Sequence, residues 1–135
     1  MDIVTRKQLN ILIQLAVADK HFSKIEREMI FKIARERHFS EEVVTNLIKN
    51  PEPIDSLGAL SAEQKFNYLH SCIELVFADH NVFESEILFC KNIAIKLGFK
   101  KGIIDYFVNN HGKKSKEELT QIALKEYLWS ECQKP

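Results

Sequence analysis

Apolar residues recur at three- and four-residue intervals along most of the chain. No segment keeps the two-residue alternation of a strand. Met29, Ile30, Ile33 and Ala34 fall on one helical stripe. Ile87, Leu88, Lys91 (through its aliphatic stem) and Ala94 fall on another, with Ile93 beside it. Helix starts are marked by the capping-box pattern, Ser or Thr followed three residues later by Glu or Gln, at Thr5 with Gln8, Ser23 with Glu26, Ser61 with Gln64 and Ser115 with Glu118. Ser40 marks one more, with Glu41 and Glu42 in its first turn to complement the helix dipole. Stops are expected at Asn50-Pro51, Gly98 and Gly112. The pattern predicts seven helices, over 5–19, 24–37, 41–49, 62–79, 84–97, 100–111 and 116–131. Residues 50–60, with Pro51, Pro53 and Gly58, read as the one long connector.

The helices at 5–19 and 62–79 are apolar nearly all round. Such helices belong at the centre, with the others wrapped around them by one face each. The chain also repeats. A shift of 60 residues puts Leu15, Ala18, Asp19, Glu26, Ile33, Ala34 and Phe39 onto Leu75, Ala78, Asp79, Glu86, Ile93, Ala94 and Phe99. The expected architecture is an all-α, single-domain bundle of about seven helices. Its halves, about 5–49 and 62–111, are related by an internal pseudo-two-fold duplication, and the helix at 116–131 lies outside the repeat.

Composition narrows the function classes. A length of 135 residues is that of one domain. Basic and acidic residues number 19 each, nine of each sign in 1–60 and ten of each in 61–135. That balance gives no global field to gather nucleic acid or an anionic membrane. Cys72, Cys90 and Cys132 form no close pair, which argues against a disulfide framework and for a reducing compartment. No apolar run approaches the ~20 residues that span a bilayer. The stretch MDIVTRKQLN lacks the basic and apolar regions of a secretory signal. The expected location is the cytoplasm.

The chemistry gathers at two corners. Asp19 and Asp79 close helices, where the dipole disfavours a carboxylate by about 0.3–1 kcal/mol. An Asp there can fold back onto the N-terminus of the next helix, and Glu26 can bond the backbone of Ser23 within its capping box. On that reading the acidic residues staple a tight helix–helix corner. The other reading is a divalent cation site, drawn from Asp19, His21 and Glu26 at the first corner and Asp79, His80, Glu84 and Glu86 at the second. The spacing is not that of an EF-hand: counting from Asp19, no Gly stands at the sixth position, and Ile30 stands at the twelfth.

The stretches ADKHFSKIERE and ADHNVFESEI resemble the Ala-Asp-Gly-x-apolar-x-x-x-Glu signature of the TerB-like family. That family includes bacterial tellurite resistance proteins and the N-terminal domain of a DnaJ-like co-chaperone. The resemblance covers about 15–108 and implies an all-helical fold, a role in stress responses, and metal or ligand binding through Asp19, Glu26, Asp79 and Glu86. The chain departs from the signature where Lys20 and His80 replace the Gly, and where His21 and Asn81 stand two residues after each Asp. It carries no His-Pro-Asp, so co-chaperone activity is not implied.

Four further groups of residues carry candidate chemistry. Lys100, Lys101, Lys113, Lys114 and Lys116 form the one basic cluster, read as cations favouring a helix end or as an anion patch. It is not a P-loop, because the first Gly of that motif would fall on Phe107. Cys72 and Cys90 lie on apolar stripes and read as buried inert thiols, with His70 badly placed to activate Cys72. His38, which takes the place of Gly98, reads as a helix-end residue. Tyr127 and Trp129 either close the core or anchor a protein partner or a second copy of the chain. There is no nucleophile elbow, Gly-rich dinucleotide turn or HExxH. The expected function is a non-enzymatic TerB-like module, associated with stress or tellurite resistance, with a divalent cation or small ligand at the acidic corners. The alternative is a helical protein–protein interaction domain whose acidic corners are purely structural.

Overall fold

The computed structural model describes residues 3–18, 23–54, 57, 60–78, 84–100 and 102–128. These residues form an all-α bundle: α1 (Ile3–Val17), α2 (Lys24–Glu36), α3 (Glu41–Lys49), α4 (Ala62–Phe77), α5 (Glu84–Leu97), α6 (Ile103–Asn110) and α7 (Lys116–Ile122). α7 runs on into a π-helical turn, Ala123–Tyr127. Among the described residues there is no strand, only one isolated antiparallel bridge between Phe99 and Leu128.

α1 and α4 lie against each other at the centre. α2, α3 and α5 pack on α1, and α5 and the π turn pack on α4. Leu9, Leu12, Ile13 and Leu15 of α1 and Leu69, Cys72, Leu75 and Val76 of α4 are almost wholly removed from water. Each such Leu or Ile side chain contributes about 1.5–3 kcal/mol relative to exposure. Polar groups inside this interface are satisfied. Gln8 Nε2 donates to Ser71 Oγ at 2.8 Å, and the Tyr68 hydroxyl donates to the Val4 carbonyl.

The connector is held by α1. The Asn10 amide takes both backbone groups of Glu52, accepting from its N–H at 2.9 Å and donating to its carbonyl at 2.8 Å. Gln14 Nε2 donates to the same carbonyl at 2.6 Å. The Arg6 guanidinium reaches the Glu52 carboxylate at 2.9 and 3.3 Å. A two-point amide grip fixes backbone direction as well as position at Glu52, between Pro51 and Pro53.

Capping boxes close at Ser23, Ser61 and Ser115, and Ser40 caps α3 through Val43 N–H. Thr5 with Gln8 does not open a helix. α1 begins earlier, at Ile3, so Thr5 lies buried inside it and Gln8 turns to α4.

α2 and α5 end alike. Phe39 N–H donates to Ala34 O at 2.8 Å and His38 N–H to Arg35 O at 3.1 Å. Phe99 N–H donates to Ala94 O at 2.9 Å and Gly98 N–H to Ile95 O at 3.0 Å. Both are Schellman turns, with a buried Phe just beyond the left-handed residue. That residue is His38 at φ 64° in one turn and Gly98 at φ 92° in the other.

Two other expectations change. The stripe drawn through Ile87, Leu88, Lys91 and Ala94 divides: Ala94 and neighbouring Ile93 are buried and Ile87 packs against the core, while Lys91 is exposed and Leu88 is 60% exposed. The inward face of α5 is completed by Glu86, Cys90 and Leu97. The helices expected over 100–111 and 116–131 are shorter. Lys100 N–H donates to the Tyr127 carbonyl, which holds residues 99 and 100 in an extended pairing with the end of the π turn. α6 therefore starts only after Gly102, at φ 92°. A β-carbon at Gly102 would also come to 3.8 Å from the Tyr127 ring.

Candidate functional site

Glu26 is the third residue of α2, and Glu86 is the third residue of α5. Both are only 2% exposed. A carboxylate so buried is costly unless it is hydrogen-bonded or paired. Glu26 is held by its capping box: Oε1 accepts from Ser23 N–H at 3.1 Å, and Ser23 Oγ accepts from Glu26 N–H at 3.1 Å. The negative charge also lies at the positive end of the α2 dipole. Glu86 lies one turn before Cys90, whose thiol feels its charge. Glu84, by contrast, is exposed at the first position of α5.

Asp19, His21, Asp79 and His80 lie outside the described residues. Among the described residues no three His, Cys, Asp or Glu side chains converge as a metal cluster would require. Of the proposed corner residues, Glu26, Glu84 and Glu86 can thus be placed: two buried at equivalent helix positions, one on the surface.

Among the described residues the thiols of Cys72 and Cys90 are buried and free, and Cys132 lies outside them. Cys90 hydrogen-bonds with Cys72, and this contact, burial and the charges nearby push the Cys90 thiol well above its usual pKa. A thiol so disfavoured as thiolate is a poor nucleophile. His70 turns to Glu74, with Nε2 3.4 Å from Oε1, and stacks on Phe66. His38 serves as the helix-end residue already described.

No family model, curated protein or solved structure matches the chain.

The expected basic cluster divides between two hollows. Lys100 lines a groove between α5 and α6, with Leu88, Ile95 and Ile104. Lys114 and Lys116 line a second hollow beneath α7. Lys113 is exposed, and Lys101 lies outside the described residues. Tyr127 is half-buried, its ring 5.6 Å from that of Tyr106, while Trp129 lies outside the described residues. Among the described residues no helix is long and apolar enough to cross a membrane.

Local spacing gave Glu26 and Glu86. It missed the company that His70 and Glu74 keep with His111, because that neighbourhood joins residues of α4 to the turn after α6. The one usable signal was His111 beside the lysines in HGKKSK.

Proposed function

We propose that the protein is a non-enzymatic helical module of the TerB-like kind, serving a stress or tellurite-resistance response. It takes a divalent cation or small ligand at its two acidic corners. The observation that carries this reading is the pair of almost fully buried carboxylates, Glu26 and Glu86, at the same position of α2 and α5. The internal duplication belongs to the same proposal. It draws support from the matched Schellman turns, and from Ala18 N–H and Ala78 N–H, which donate to Leu15 and Leu75 carbonyls at 3.1 Å each.

Thermal melts with Ca²⁺, Mg²⁺ and Zn²⁺ test the reading. A site filled to about 100 Kd adds about 2.7 kcal/mol to stability. That gain should vanish in Glu26→Gln combined with Glu86→Gln. Absence of any gain in the parent protein rejects the cation.

A second reading is a protein–protein interaction domain with structural corners. It is favoured by the Ser23–Glu26 capping box, and by the outward face of α5, where Leu88 and Ile95 are 60% and 58% exposed. Lower stability in the Gln variants with no change in any ligand effect favours this second reading.

A further inference from the structure

α4, α6 and α7 meet around a hollow of about 240 Å³. Ile73, Phe107 and Leu119, all buried in the protein core, contribute its apolar wall. Its polar lining is His70, Glu74, His111, Lys114 and Lys116. Two lysines against one carboxylate leave the lining net positive while the imidazoles are neutral.

Both imidazoles are oriented by aromatic stacking. His111 lies on Phe77 with ring centres 4.0 Å apart and planes 9° apart. His70 lies on Phe66 at 5.5 Å and 26°. Stacking fixes the planes in which the ring nitrogens point, so little freedom remains to be lost on binding. The side chain of His70 is 16% exposed and that of Glu74 44%.

We propose that this hollow binds a small organic anion, with a carboxylate or phosphate head carried on a compact apolar body. The head meets Lys114, Lys116 and the two imidazoles, while the body covers Ile73, Phe107 and Leu119. Apolar walls with a few convergent polar groups are the usual makeup of a small-molecule site. Cationic groups at the rim of a low-dielectric hollow hold an anion more strongly than they would in water.

The electrostatics of His70 agree. Burial lowers its pKa most; the Glu74 carboxylate opposes this, and Lys116 and His111 lower it further. An anion in the hollow offsets the lysine charge and draws a proton onto His70, so binding raises its pKa.

The test is NMR titration of the full chain with benzoate and with phenyl phosphate, against inorganic phosphate and benzyl alcohol as head-only and body-only controls. The expected result is saturable shifts at His70, His111 and Leu119, an upward move of the His70 titration, and affinity for at least one aryl anion at least about tenfold above both controls. Whichever aryl anion binds tighter identifies the head group. Lys114→Gln with Lys116→Gln, both away from the core, should weaken that binding at least about tenfold with unchanged circular dichroism. Aryl anions that bind no better than the controls, or equally well to the double variant, overturn the site.

Discussion

The turns that end α2 and α5 share a backbone and differ in the residue that must bend it. Both close with the same pair of hydrogen bonds, and both seat a phenylalanine in the core. In the second turn Gly98 takes the left-handed conformation at no steric cost. In the first, His38 takes it with a β-carbon in the way. The hydrogen bonds and the buried Phe39 hold the first turn in shape in spite of its residue. The outward faces differ as well. Where α2 shows Glu28 and Arg35, α5 shows Leu88 and Ile95 at the positions 60 residues on. The two regions thus share a turn geometry with a buried Phe and carry different surfaces.

The largest effects test the two central helices from which these regions follow. Leu15 and Leu75 are both fully buried, one in each central helix. Leu15→Ala and Leu75→Ala should each cost about 2–5 kcal/mol in urea unfolding at constant m-value. Costs that fall far apart break the comparison at its core.

Next come the turns. Gly98→Ala should lose about 1–2 kcal/mol, because the new β-carbon meets the strain that His38 already bears. His38→Gly should do the opposite and raise the urea midpoint by the equivalent of up to about 1 kcal/mol. If His38→Gly destabilises, the imidazole makes a contribution that its exposed position does not suggest.

A smaller effect appears with pH. His70 has a lowered pKa in the folded protein, from burial first, with Glu74 opposing and Lys116 and His111 adding to the shift. The unfolded chain therefore binds a proton more readily. Stability from this group is present above the ordinary histidine pKa and is lost as pH falls through it towards the folded value. In His70→Gln the slope of stability against pH should flatten in that window. An unchanged slope would assign the titration to other groups.

The smallest effect is expected on the α5 face. Leu88→Ser and Ile95→Ser should each stay within about 0.5 kcal/mol of the parent, since neither side chain packs inside. A larger loss that depends on protein concentration would mean that a second copy covers this face.

Much of the fold was legible because its causes are local. A capping box is closed by residues three apart, so Ser23, Ser61 and Ser115 announce their helices directly. The left-handed turn at Gly98 follows from glycine's freedom of φ. Thr5 with Gln8 shows the limit. The same four-residue pattern stands inside α1, where Thr5 is buried and Gln8 reaches across to Ser71. The two buried glutamates were legible as positions, since both follow an Ala-Asp by seven residues. Their depth was not, because burial depends on what packs over a residue.

The sequence by itself determined the helical class, the main helix starts and the identity of the two central helices, through hydrophobic period and capping chemistry. Only the tertiary structure decided which face of α5 turns inward, where α7 gives way to its π turn, and that His70, Glu74, His111, Lys114 and Lys116 line one hollow. The physical reason is separation along the chain. Phe99 pairs with Leu128, and Asn10 grips Glu52, across dozens of residues. Such partners leave no mark in local spacing, and the chain assembles them only once its helices have packed.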